Sequence, residues 1–496
     1  MFSRPPFHYN KGMKIAVPEE VAKTAKALAE AGFEAYLVGG CVRDMLADRE
    51  PKDWDLATDA KPPEIQRVFP DTVYENDFGT VGVKTESEDP KLRVVEVTTY
   101  RIEGKYTDKR HPDEVRFATT IGEDLARRDF TVNALAMGLA GDVIDPYGGR
   151  RDLKEKIIRA VGDPEARFGE DALRLMRAVR FAVDLGFEIE LNTRRAIEKL
   201  AGGLESVAKE RIQGELSKIL MAPDAARGVM LLEELDLLRY VLPELREGLG
   251  VGQNLHHIYS VFEHNIRALD YTARQGYSLE VRMAALLHDV GKPRSKAGDG
   301  VKSTFYQHEY IGARMALRAL DRLRYPKDFV EAVAHLVRSH MFYYNVGDVS
   351  ERGVRRFLAR VGPETVPDLL KVREADRIGS GVPKAVPYKA RHLMFMIEKV
   401  KNDPISPKML KVTGDDVMAA LALPQSPRVG WILAALLEEV LDDPAKNDRE
   451  ALMARMKGLG AMDDAALRAL AAKARETKEE YAAEAEGEIK KKFRVE

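Results

Sequence analysis

The chain has 496 residues, 45% hydrophobic and 32% charged, which suits a soluble protein of several domains with ample core-forming material. A net charge of −2 excludes a globally basic nucleic-acid coat, so RNA contact would need a local basic surface. One cysteine, Cys41, excludes a disulfide framework and reads as a small buried residue; no apolar run is long enough to cross a bilayer and MFSRPPFHYNKGMK has no signal-peptide core, so a cytoplasmic protein is expected.

Val21, Ala25, Leu28 and Ala29 recur at helical spacing over residues 19–31, and Gly32 is placed to end that helix. Tyr36, Leu37 and Val38 read as a buried strand, broken by Gly39 and Gly40, after which Val42, Arg43 and Asp44 suit the first turn of a helix. Glycines let backbone N–H groups approach an anion without Cβ interference, the helix start adds its positive end, and Arg43 supplies a fork for a phosphate oxygen. The alternative cradles GxxxxGK[ST] and GxGxxG are absent. A second strand over residues 53–57 points Asp53 and Asp55 to one face, where paired carboxylates suit a divalent metal. An isolated Asp-x-Asp is common. Combined with the Gly-Gly turn and Arg43, it describes a nucleoside-triphosphate site with its metal and resembles the nucleotidyltransferase fold shared with DNA polymerase β.

Pro62 and Pro63 open a short helix through Val68 and Phe69, and residues 78–86 and 92–99 alternate like adjacent strands of an α/β sheet with mixed pairing. Glu96 is a candidate third metal carboxylate, although an alternating Glu is more often the wet face. Residues 103–113 break every period and read as a mobile loop. In EDLARRDFTVNA (residues 123–134) the arginines, Arg128 among them, fit phosphate contacts. Asp129 can fix an arginine or a ribose hydroxyl, and Asn133 can hydrogen-bond a sugar. Residues 145–149, DPYGG, form a turn.

In EDALRLMRAVRF (residues 170–181), Asp171, Arg174, Arg177 and Arg180 recur every third residue, so consecutive members neighbour one another on a helix. The generic explanation is an intrahelical ion pair. The functional one starts from base edges: adenine and cytosine present an amino donor beside a ring-nitrogen acceptor, which a carboxylate and a guanidinium complement, while guanine and uracil present the reverse. A fixed Asp171 and Arg174 pair would accept ATP and CTP and reject GTP and UTP.

GGCVRD with DWD, RRDFTVNA, DPYGG and EDALRLMRAVRF, with ERIQGELSKIL at 210–220, resemble the successive motifs of bacterial class II tRNA nucleotidyltransferases, the CCA-adding enzymes and their poly(A) polymerase relatives, over residues 36–220. The resemblance implies that Gly40 and Arg43 contact the triphosphate, Asp53 and Asp55 hold Mg²⁺, Arg128 contacts the nucleotide, Asp171 and Arg174 read the base, and Arg177 and Arg180 complete the pocket. Residues 103–113 look like the family's flexible loop, which favours full CCA or terminal A addition. ATP, CTP and tRNA are the implied partners, with no membrane.

Seven of the ten histidines lie between His256 and His340. His288-Asp289 after an apolar helix, with His264 before and Asp376 after, resembles the HD phosphohydrolase pattern of one metal on two histidines and two aspartates, with His308 and His340 available to a second. The resemblance implies a transition metal (Ni²⁺, Mn²⁺ or Co²⁺) and hydrolysis of a phosphate ester such as a 2′,3′-cyclic phosphate or 2′-phosphate. Beyond Asp376, residues 410–423 read as a helix started by Asp415 or Asp416, and residues 431–441 as another; the family's helical tail grips the tRNA elbow.

The expected architecture is an α/β nucleotidyltransferase head (1–160), an all-α neck with the base-reading helix (161–240), an HD domain (241–385) and a helical tRNA-binding tail (386–496). The expected function is CCA or terminal A addition to tRNA. Poly(A) synthesis on general RNA is the first alternative and an HD phosphohydrolase whose head only binds nucleotide the second.

Overall fold

A computed structural model describes residues 16–74, 79–103, 115–253, 258–298, 300–381, 386–401, 410–442, 446–472 and 490–495. They form two units, residues 1–340 with 371–382, and residues 341–370 with 383–496.

In the first unit, α1 (Glu19–Glu30) places Glu19 and Glu20 in its first turn and buries Val21, Ala25 and Leu28. At its end Gly32 has φ +94°; its N–H reaches Ala29 O and the Phe33 N–H reaches Leu28 O, so a left-handed turn satisfies the last carbonyls. There follow β1 (Tyr36–Val38), α2 (Gly40–Leu46), β2 (Asp55–Thr58), α3 (Pro62–Val68), β3 (Thr72–Tyr74), β4 (Thr80–Lys84), β5 (Val94–Thr99), the paired β6 (Arg101–Glu103) and β7 (Val115–Phe117), α4 (Ile121–Ala126), β8 (Ala136–Met137) and β9 (Val143–Ile144).

The main sheet runs β3-β4-β5-β2-β1-β8-β9, with β2 parallel to β5 and the other neighbours antiparallel, the expected mixed pairing. Strand alternation divides its faces. Leu37, Leu56, Val95 and Val97 pack with Val21, Leu28, Val42 and Ile65 of the helices, while Val38, Ala57 and Tyr100 pack with Leu125. The strand expected over residues 53–57 begins only at Asp55. Its ladder with β5 starts at Asp55↔Glu96, and the polar, proline-bearing residues 49–53 precede the pairing. β3 is too short for alternation to have revealed it.

The neck comprises α5 (Gly149–Glu155), β10 (Ile157–Ile158), α6 (Pro164–Glu170), α7 (Leu173–Leu185), β11 (Glu188–Ile189), α8 (Leu191–Leu200), α9 (Lys209–Met221), α10 (Ala225–Glu234), α11 (Leu238–Val241) and α12 (Pro243–Arg246). The DPYGG turn caps α5, since the Asp145 carboxylate accepts from the Gly149 and Arg150 N–H groups at 2.7 and 3.0 Å. A Cβ on Gly149 would lie 2.1 Å from the Thr131 carbonyl oxygen.

Next come α13 (Val261–Arg274), α14 (Leu279–Leu287), α15 (Lys292–Ser295), α16 (His308–Arg322) and α17 (Lys327–Ser339). α14 is buried from Val281 to Leu287, as its near-continuous apolar run requires, and includes Arg282. That guanidinium donates to the carbonyls of Tyr277, Leu220, Ala222 and Ala273, tying α14 to the ends of α9 and α13.

The second unit holds α18 (Glu351–Val361), the start of α19 (Val366–Gly379), α20 (Tyr388–Lys401), α21 (Gly414–Leu421), α22 (Pro427–Asp442) and α23 (Arg449–Gly460), with Val417, Ile432, Leu436 and Met456 in its core. α21 starts at neither Asp415 nor Asp416. Thr413 is its N-cap, and Asp416 returns a bond to the Thr413 N–H at 2.7 Å, a capping box. Among the described residues no helix is long and apolar enough to cross a membrane.

Candidate functional site

The turn after β1 needs Gly39 twice over. Its φ is +70°, and a Cβ there would lie 2.5 Å from Arg128 Nη1. Gly40 opens α2, where a Cβ would meet only Arg43 Nη2 at 3.8 Å. Arg43 is braced, its Nε donating to Asp44 at 2.8 Å and its Nη1 to Asn133 Oδ1 at 2.7 Å.

Asp55, the first residue of β2, stands in register beside Glu96 of β5, and paired residues of neighbouring strands share a face. Asp53 is exposed in the bend just before. Burial pushes the Asp55 carboxyl up, the charge of Asp53 adds to this, and the Arg128 guanidinium opposes it. Hard oxygen donors on an anionic edge fit Mg²⁺. These carboxylates are not gathered tightly: among the described residues, groups of three or more His, Cys, Asp or Glu with ligand atoms within 4.8 Å of one another occur only at the HD pocket.

A buried polar network backs this edge. Asp124, 1% exposed, accepts from Arg127 at 2.7 Å and from Arg128 at 3.2 Å. Asn133 sits in a 3₁₀ turn (Thr131–Asn133), takes the Arg43 bond and donates to Asp129 Oδ1 at 3.1 Å. Thus the side chain expected to meet a sugar joins two charged groups instead. Asp129 Oδ2 accepts from Arg177 at 2.7 Å. Burial would raise the Asp129 carboxyl, but Arg177 and Asn133 prevail and hold it at about 2. Glu215 of α9 lies 3.3 Å from Arg180 and 4.0 Å from Arg177, and the Arg43, Arg177 and Arg180 guanidinium groups surround the Phe181 ring at 5.4, 5.3 and 4.1 Å.

The expected helical neighbours Asp171 and Arg174 are arranged differently. α7 starts at Leu173, and Asp171 precedes it, accepting from the Leu173 N–H at 3.0 Å. Asp171 is gripped by Arg211 of α9 at 2.7 Å, and Arg174 by Glu170 at 2.6 Å and by the carbonyls of Arg167 and Arg127. An Asp favours the helix-capping position over the interior, which is why the three-residue spacing misplaced it. Asp124, Glu170, Arg211 and Glu215 were not singled out from the sequence; the four-residue spacing of Arg211 and Glu215 was their only signal. The expected loop at residues 103–113 lies almost wholly outside the described residues.

The HD pocket assembles His264 of α13, His288 and Asp289 after α14, and Asp376 of α19, all buried, with ligand atoms within 4.8 Å of one another. A second such group is Asp289, His308 and His340. Lys292, which sequence reasoning missed, lies 2.6 Å from Asp289 and is steadied by Gln253 at 2.7 Å. Burial alone would raise both carboxyls. Lys292 and His288 nevertheless hold Asp289, and His264 and His288 hold Asp376, well below the usual carboxylate range. Burial also opposes charge on His288, yet Asp289 and Asp376 push its pKa up to about 10. The pocket calls for positive charge, which imidazole and carboxylate ligands would take from a divalent transition metal.

Comparison with known proteins agrees with these regions. Residues 35–159 match the model of the "Poly A polymerase head domain", residues 186–249 that of the "Probable RNA and SrmB- binding site of polymerase A", and residues 261–379 that of the HD domain. The chain is 37% identical to the A-adding tRNA nucleotidyltransferase of Deinococcus radiodurans over 417 residues, 82% of this chain and 91% of that one. It is 33% identical to the CCA-adding enzyme of Enterococcus faecalis over 446 residues, 89% and 97% of the two chains. The crystal structure of the Bacillus stearothermophilus CCA-adding enzyme in complex with CTP superposes with a TM-score of 0.58 at 29% identity, covering 89% of this chain and 96% of that one. With these extents of identity joined to a polymerase β-like head and an HD domain, the chain belongs to the tRNA nucleotidyltransferase family of A-adding and CCA-adding enzymes.

Proposed function

We propose that this nucleotidyltransferase adds CCA, or its terminal A, to the 3′ end of tRNA from CTP and ATP in the cytoplasm. The observation that supports it most is the register that sets Asp55 beside Glu96, with Asp53 before and Arg128 alongside. Asp53 and Asp55 would hold Mg²⁺, with Glu96 as a third carboxylate; bound there, Mg²⁺ supplies charge stabilisation for the attacking and leaving oxygens. The RNA 3′-hydroxyl attacks the α-phosphate in line, the new P–O bond forming as the bond to pyrophosphate breaks. Arg43, the Gly39-Gly40 turn and Arg128 orient the triphosphate. Asp171 accepts from the amino group of adenine or cytosine, Arg174 donates to the ring nitrogen, and Arg177 and Arg180 close the pocket. The helical tail grips the tRNA elbow.

A second activity is hydrolysis of a phosphate ester blocking an RNA end, such as a 2′,3′-cyclic phosphate or 2′-phosphate, at His264, His288, Asp289 and Asp376 with Ni²⁺, Mn²⁺ or Co²⁺. The convergence of these four buried ligands favours it. The test of the first activity is incorporation of ATP, CTP or both into tRNA transcripts that lack CCA, end in CC or carry complete CCA, with product ends sequenced. A single complete CCA is expected of the full enzyme and a single A on the CC-ended transcript of an A-adding one; long adenylate tails would reassign it to poly(A) synthesis.

A further inference from the structure

We propose that the HD pocket holds two metal ions sharing Asp289, one on His264, His288 and Asp376 and the other on His308 and His340. This rests on the reading of the pocket as a metal site and goes beyond its four-residue set. The Asp289 oxygens are divided between the two histidine pairs. Oδ2 lies 3.1 Å from His264 Nε2 and 3.3 Å from His288 Nε2, whereas Oδ1 lies 3.2 Å from His308 Nε2 and 3.7 Å from His340 Nε2. One carboxylate presenting an oxygen to each of two imidazole pairs is arranged as a bridge between two ions.

Proton positions sharpen the case for the second ion. His308 Nδ1 lies 2.8 Å from the Phe305 carbonyl oxygen, and His340 Nδ1 lies 2.7 Å from that of Val337. A carbonyl only accepts, so each Nδ1 carries the ring's proton and each neutral ring turns a bare Nε2 inward. Those two nitrogens face each other at 3.3 Å with Asp289 Oδ1 beside them, in a pocket where His308, His340 and Asp289 are 5%, 1% and 1% exposed. Three acceptors thus converge with no hydrogen among them. Buried acceptors at such range need a cation, and a metal satisfies all three at once. Lys292 does not meet that need, because its ammonium sits on the Oδ2 side. The competing explanation is a second proton on one ring, an imidazolium between the pair.

The deciding experiment uses the full-length chain with Asp53→Asn and Asp55→Asn, so that the head takes up no ion, stripped with chelator and reloaded with Mn²⁺. Two Mn²⁺ per chain with the EPR signature of an exchange-coupled pair are expected. His308→Gln with His340→Gln should leave one Mn²⁺ with an uncoupled six-line spectrum. One uncoupled Mn²⁺ in the parent, lost on Asp376→Asn, would overturn the two-ion proposal while leaving the pocket a metal site. No Mn²⁺ in the parent would overturn the metal reading itself. The coupling measurement needs no histidine variant, so a double variant that fails to fold does not shield the proposal.

Discussion

Asp129→Asn tests the network behind the proposed nucleotide site. Asp129 is 7% exposed and accepts from Arg177 at 2.7 Å. Its carboxyl sits at about 2 against an ordinary 3.8. With each tenfold in proton affinity being about 1.4 kcal/mol, the charged form contributes on the order of 2 kcal/mol to folding. Because the folded value is the depressed one, that contribution is complete above about pH 4, the unfolded value, and is lost as pH falls through about 2. Asn keeps the shape but not the charge, leaving Arg177 only Glu215 at 4.0 Å among the carboxylates within ion-pair range. Urea denaturation would be followed through Trp54, with Trp431→Phe removing the other tryptophan so that only the first unit reports. The variant should be about 2 kcal/mol less stable at pH 7, with the gap narrowing between pH 4 and pH 2. A gap of the same size at pH 7 and pH 3 would refute the reasoning.

Asp55→Asn should reduce nucleotide incorporation by at least about 10³-fold without lowering the denaturation midpoint, because burial already disfavours that charge; a stability loss with activity retained would contradict its proposed role. Arg211→Ala frees the Asp171 carboxylate it grips, so the preference for ATP and CTP over GTP and UTP should fall roughly tenfold in primer extension, whereas unchanged selectivity would remove Asp171 from base reading. Gly39→Ala combines a φ of +70° with a Cβ 2.5 Å from Arg128, so the KM for nucleoside triphosphate should rise about tenfold or more; an unaltered KM would show that Arg128 does not touch the nucleotide.

Features carried by short sequence windows were legible: the glycine turn, the Asp-x-Asp, the arginine-rich stretches and the histidines, whose chemistry is unusual enough to stand out in an apolar helical context. Pairings across long separations were not. Asp55 and Glu96 meet through strand register, and Asp171 meets Arg211 across 40 residues of chain. Periodicity could rank neighbours along one helix, but it placed Asp171 inside α7, where a capping bond to Leu173 holds it outside. At the HD pocket the ligand types were readable. Which nitrogen each ring turns inward depends on the carbonyl three residues back and needed coordinates.

The position of Asp376 bears on how the protein is made. Between His340 and Asp376 the chain contributes residues 341–370 to the second unit before α19 re-enters the first. A nascent chain therefore presents all four histidines of the pocket, and Asp289, well before the last carboxylate leaves the ribosome. Closing that loop costs chain entropy, and the ions that repay it bind fully only once the final ligand is present. Metal capture is thus a late event in biosynthesis, one that marks a chain grown past the segment lent to the second unit.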